Sequence, residues 1–366
     1  MSCLRIAALM CAATLASTPA LAQAVPGTRV YLAAQSGWDA LKEGRHQDAA
    51  EAFARAIDAE PRDPSLHLGA GMAAFLLGET TTARHSLERA LALAPSLTSA
   101  SLLLADILYR TSDLEAALRV LEAAAAYAPS DAALAARVEK LRTETAAHGS
   151  FFAAQGNRFT VLFEGPADEA LASRAIEILE SAYWRIATAL STYPEQTITV
   201  VLYTQEQFRD ITRAPQWAAA AYDGRIRIPA RGATASSREF ERVLVHELTH
   251  ALVQGVAPRG IPIWLHEGLA VVFEPEGAGW AEAQLARETR RRPMGRLAGD
   301  FTRLSAAEAR VAYAQSAAIV RALFEHNGAA AVGALLRDLA RGAMFADAFE
   351  RHFLIGYSAF VESLAR

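Results

Sequence analysis

The stretch Val245-His246-Glu247-Leu248-Thr249-His250-Ala251 decides how the second half of the chain is read. Its apolar residues recur at helical spacing, and the surrounding pattern predicts a helix over residues 236–254. Histidines at i and i+4 stand only about 40° apart around a helix and one turn apart along it. Both imidazoles can therefore reach one metal ion, and Glu247, directly after His246, can lean toward a water on that ion. Outward from this helix, a short Gly/Pro loop leads to Pro262-Ile263-Trp264-Leu265-His266-Glu267-Gly268-Leu269-Ala270. The pattern predicts a second helix over 262–273, with Glu267 placed 17 positions after His250. Glu267 can supply a third ligand, and Gly268 lets two helices approach closely. Imidazole and carboxylate donors in a tetrahedral site suit zinc.

This pairing of segments resembles the gluzincin metallopeptidases, and within them the peptidase MA-like family, where HExxH is followed by W-L-x-E-G-x-A. The resemblance covers most of residues 159–366. It implies one Zn2+ per chain held by His246, His250 and Glu267, with Glu247 as the general base. Ala312-Tyr313-Ala314-Gln315-Ser316 also looks like that family. By that resemblance Tyr313 is the donor to the oxyanion; the plainer reading is a tyrosine that packs its helix against the active-site helix. His266 stands where many relatives carry Asn. One residue before Glu267, it is turned about 100° away on a helix, so it is expected behind the ligands or at the surface. The G-x-M-E-N segment of the aminopeptidase relatives is missing, which favours an endopeptidase. A carboxylate should orient one of the ligand histidines; Glu274 and Glu241 are the candidates.

Around these segments the pattern predicts an α+β domain over residues 151–366. Strands are expected at 158–163 and 197–203, a long helix at 167–190 and a short one at 205–211. An edge hairpin turns at Asp223-Gly224, and further helices follow at 281–291, 305–326, 328–340 and toward the C-terminus. An extended peptide can add to the strand ending near Ile228. Arg225 and Arg227 would then border the cleft, or else simply face solvent. The other histidines (His46, His67, His85, His148, His326 and His352) read as ordinary helix or loop residues.

The first half follows a different rule. Pro61, Pro95 and Pro129 are spaced 34 apart. Gly37, Gly71 and Ala105 follow at the same period, as do Gly44, Gly78 and Ser112, and Phe53, Leu87 and Leu121. Small residues let two antiparallel helices approach, the Phe or Leu fills the gap to the next pair, and the proline ends the second helix. The pattern resembles the tetratricopeptide (TPR) repeat, with about three copies over residues 30–131 and a capping helix over 132–147. The expected fold is thus multidomain: an all-α TPR solenoid over 28–148, then an α+β gluzincin-like domain. A solenoid of this kind implies a protein partner on its concave face, against the plainer reading of a packing scaffold.

Residues 1–22 read as a signal peptide, with Arg5, a short apolar run from Ile6 to Ala16 and the Ala20-Leu21-Ala22 cleavage site. Both cysteines, Cys3 and Cys11, lie inside it, so the mature chain is expected without disulfides in the periplasm or outside the cell. No later stretch is long and apolar enough for a membrane span. A net charge of −4 over 366 residues excludes an electrostatic footprint for nucleic acid. The basic run Arg290 to Arg292 reads as a solvated helix end. With no mature cysteine, a closed structural zinc site is disfavoured. The sequence therefore predicts an exported zinc metallopeptidase acting on peptide or protein substrates. The alternative is a TPR adaptor whose peptidase-like domain binds zinc or peptide with little turnover.

Overall fold

The computed structural model describes residues 26–212, 221–230, 237–288, 292–299 and 301–364. The expected signal peptide with its two cysteines, and Arg290 and Arg291 of the basic run, lie outside the described residues.

The first half is a stack of antiparallel helices. They are α1 (Pro26–Lys42), α2 (His46–Ala59), α3 (Pro64–Leu76), α4 (Thr80–Leu93), α5 (Thr98–Arg110), α6 (Leu114–Tyr127) and α7 (Ala132–His148). The turns inside the three pairs need left-handed backbone, and Gly44 (φ 75°), Gly78 (φ 79°) and Ser112 (φ 66°) adopt it. Ser112 bears the cost of that conformation without being glycine. Its hydroxyl lies 2.6 Å from that of Thr199, in the second half of the chain.

The second half holds a five-stranded sheet of order β1-β2-β3-β5-β4. Its strands are β1 (Phe152–Gln155), β2 (Phe159–Phe163), β3 (Ile198–Tyr203), β4 (Ala221–Tyr222) and β5 (Ile226–Pro229). β2, β3 and β5 run parallel, while β1 and β4 pair antiparallel at the edges, so the expected hairpin at Asp223-Gly224 forms. β1 was not expected from the sequence. The crossover from β2 to β3 is α8 (Glu169–Leu190), and α9 (Gln205–Thr212) follows β3. The helical half comprises α10 (Arg238–Val256), α11 (Ile263–Phe273), α12 (Gly277–Ala286), α13 (Met294–Leu297), α14 (Ala306–Asn327), α15 (Ala329–Ala340), α16 (Phe345–Phe353) and α17 (Tyr357–Ser363).

Period-2 alternation splits the sheet into two buried faces. Val200, Leu202, Ile226 and Ile228 pack into one core with residues of α8 and α10. Val201 and Tyr203 face the other way, into a cluster with Phe208, Ile211, Phe151 and Ala147, the last of these from α7. Arg225 and Arg227 share that second face. They neither border a cleft nor meet solvent: they are 1% and 0% exposed, against Glu144 of α7, itself 0% exposed. Arg227 donates to Glu144 at 2.7 Å and to the Tyr203 hydroxyl at 2.7 Å, and its Nε donates to Asp223 at 3.1 Å. The capping helix of the repeats is thus one covering layer of the sheet. The repeats touch the second half at their other end too. Gly342 lies so close to the first repeat's turn that a Cβ on it would stand 2.3 Å from the carbonyl oxygen of Gly44.

Candidate metal centre

The start of α10 is fixed by Ser237, whose hydroxyl accepts from the Phe240 amide at 3.3 Å. Leu244, Val245, Leu248 and Leu252 bury the helix in the main core and set its rotation. That leaves His246 and His250 facing α11. Glu267 comes from α11, which is held against α14: a Cβ on Gly268 would stand 2.4 Å from the Ser316 carbonyl oxygen. The close approach allowed by Gly268 is therefore between α11 and α14.

The two Nε2 atoms lie 3.1 Å apart. Glu267 Oε2 is 3.5 Å from that of His246 and 3.3 Å from that of His250. One donor atom from each residue falls within a 4.8 Å cluster, the spacing of groups that can share a metal ion. Among the described residues, buried Glu267 Oε2 has no hydrogen-bond partner, which is costly unless a cation satisfies it. Electrostatics agree. Burial opposes a charge on His246, yet Glu267 and Glu274 raise its pKa to about 10. Against its own burial, Glu267 is held well below the usual carboxylate range by His250 and His246. The pocket is built for positive charge, and the donor set fits a small divalent cation.

Behind the ligands, Glu274 Oε1 lies 2.6 Å from His246 Nδ1, and its other oxygen accepts from Arg242 at 3.1 Å. Of the two carboxylates considered from the sequence, Glu274 is the one in place; the charge of Glu241 acts on Arg185 instead. Among the described residues, buried Nδ1 of His250 has no hydrogen-bond partner. Its ring is covered by His266, stacked at 4.3 Å between centroids with 7° between planes. Burial pushes the His266 pKa down to about 3, so the imidazole is neutral. His266 was expected behind the ligands or at the surface; it packs on the His250 ring and lines the cleft in front of it.

Glu247 is buried beside the two histidines, and burial raises its pKa, opposed by His250 and His246. Tyr313, on α14, packs its ring 6.1 Å from that of His246 and 5.4 Å from that of Phe301. A cleft of about 240 Å³ opens here, lined among others by His266, Glu267, Tyr313, Phe301, Gln254 and Arg259. The arrangement can hold a cation at the floor of a cleft, with a basic carboxylate and a phenol at hand.

Two further sequence expectations move. The helix foreseen over 281–291 is Gly277–Ala286, and Arg292 is not a helix end but donates to Glu308 at 2.7 Å. His148, read as ordinary, is half-buried where α7 meets the sheet, 2.6 Å from the Tyr203 hydroxyl.

Comparison with known proteins places both halves. Residues 35–98 and 77–133 match the tetratricopeptide repeat family model, and residues 180–359 match that of the peptidase MA superfamily. Among solved structures, the first TPR domain of Spaghetti (RPAP3) bound to an HSP90 peptide is similar. That match has 22% identity and a TM-score of 0.31, and covers 33% of this chain and 99% of that one. No curated protein matches the sequence.

Proposed function

Since the chain joins tetratricopeptide repeats to a peptidase MA superfamily domain, we propose that it is an exported zinc-dependent endopeptidase to which the repeats bring substrate or partner. The observation that carries this reading is the convergence of His246, His250 and Glu267 within 4.8 Å, beside a buried Glu247. Two imidazoles and one carboxylate are the donors of a catalytic zinc site, which keeps its fourth position open. Zinc bound there would acidify water and polarise the scissile carbonyl. The rest falls to the protein. Glu247, made more basic by burial, takes the proton of the attacking water and passes it to the leaving amine. Tyr313 donates to the carbonyl oxygen as negative charge grows on it. Glu274 keeps the His246 ring oriented and its Nε2 free to ligate. Export rests on the signal-like residues 1–22.

The test is metal analysis together with an unbiased peptide library. The purified chain should carry one zinc, lost on chelation along with cleavage. A Glu247→Gln variant should keep the zinc and lose hydrolysis by about a hundredfold or more. A zinc-loaded wild-type chain that cleaves nothing in the library would favour the adaptor reading.

A further inference from the structure

The first repeat lies close to one wall of the cleft in front of the clustered donors. Arg259 and Gly260 belong to its lining, in the loop between α10 and α11. Beyond them the second half touches the repeats. A Cβ on Gly260 would meet Leu339 at 3.8 Å, and the Leu339 carbonyl accepts from the Gly342 amide at 2.9 Å. Gly342 is the residue pressed against Gly44, in the turn of the first repeat. His46, which begins α2 just past that turn, lies within reach of the Arg259 charge. The first repeat thus stands next to the mouth of the cleft, on the Arg259 side.

Arg259 is exposed, and among the described residues it forms no ion pair or hydrogen bond. Among the described residues of the lining it is the only arginine or lysine, and Glu267, the only carboxylate among them, is turned to the two histidines. Most other arginines around the helical half are committed: Arg242 to Glu239 and Glu274, Arg292 to Glu308, Arg321 to Glu282 and Glu325. An unpaired guanidinium on a cleft wall is a ready partner for a carboxylate.

We propose that Arg259 makes the cleft selective for peptides that present a carboxylate where the cleft meets the first repeat. That carboxylate is either an acidic side chain or the free C-terminus of the substrate. The proposal rests on the peptidase reading for what the bound chain undergoes, but not for the binding itself. A substrate held there lies in the peptidase domain with the first repeat close by.

The probes are amidated, fluorescein-labelled decapeptides carrying Glu, Gln or Lys at one interior position, and the Gln peptide with a free C-terminus. Binding is read by anisotropy on the full zinc-loaded chain carrying Glu247→Gln, with and without Arg259→Gln or Arg259→Glu. The expected result is roughly fivefold tighter binding of the Glu peptide, or of the free-acid peptide, than of the amidated Gln peptide, the worth of one partly exposed ion pair. The arm that shows the gain identifies the source of the carboxylate. Arg259→Gln should abolish the gain, added salt should shrink it, and Arg259→Glu should turn the preference to Lys. Equal binding of all peptides, no binding, or a preference that survives Arg259→Gln overturns the proposal. Cleavage by the chain with Glu247 intact is read separately. Cleavage without acidic preference retains the peptidase and removes the role of Arg259; preference without cleavage does the reverse.

Discussion

Glu274 is the residue whose removal most cleanly separates orientation from ligation. It is not one of the three clustered donors, but its 2.6 Å contact fixes which nitrogen of His246 faces them. Glu274→Ala should weaken zinc binding by roughly ten- to a hundredfold while leaving the fold intact, as measured by competition with a chromophoric chelator. Unchanged affinity would refute that role. Helical spacing makes His246 and His250 legible in the sequence, since one helix suffices to bring them together. Glu267 is legible by resemblance, because it arrives on a separate helix. Glu274 could only be guessed, as it lies beyond the end of α11 and no local pattern directs it back to His246. His266 misleads for a related reason. Its angle on its own helix says nothing of the ring that α10 brings against it.

Among the elements, the contact of α11 with α14 controls the cleft. Gly268 holds one side, and Tyr313 projects from the same α14 three residues before Ser316. A Gly268→Val substitution cannot be absorbed, because what it meets is backbone rather than a flexible side chain. It should cost about 1–3 kcal/mol in chemical denaturation and, by shifting α14, reduce cleavage beyond what zinc loss explains. Normal stability and turnover in that variant would show that the two helices are free to part. Most elements were readable because their apolar periods are clean: α8, α10, α11, α14 and α15 lie within a few residues of their predicted bounds. β1 escaped because Ala153 and Ala154 carry no strand preference, and the strand exists through its pairing with β2. The start of α12 escaped because Pro275, Gly277 and Gly279 read as loop residues, although a left-handed Glu276 (φ 60°) turns the chain directly into helix.

Over the whole molecule, the repeats and the sheet share a buried polar junction. His148 in it is neutral, since burial and Arg225 push its pKa down to about 4 from an ordinary 6.5. The unfolded chain therefore binds a proton on His148 that the folded chain refuses between those two values. This stability is present above about pH 6.5 and is lost as pH falls through about 4, up to about 3 kcal/mol. Glu144, raised to about 8 by burial, acts in the opposite sense from about pH 8 down to its ordinary range. The His148 part is isolated by comparing wild type with His148→Gln: melting curves should show a smaller acid loss in the variant, and identical slopes would refute the assignment. Tyr203, Arg225 and Glu144 are the groups that define this environment. The sequence shows that Arg225 and Arg227 share one face of a strand. It cannot show that a repeat helix arrives to cover that face, since this depends on a contact 83 residues away.

That separation bears on the order in which the molecule is made. The repeats consist of neighbour-to-neighbour contacts, the kind that form quickly. As the chain emerges from its N-terminus, they can stand complete while Glu144 still lacks its arginines and β5 has yet to appear. Within the repeats the carboxylate accepts from the Tyr109 hydroxyl at 3.1 Å; only with the arrival of Arg227 does it acquire a cationic partner and the sheet its second cover. The repeats then serve their own chain, as the surface on which the sheet closes.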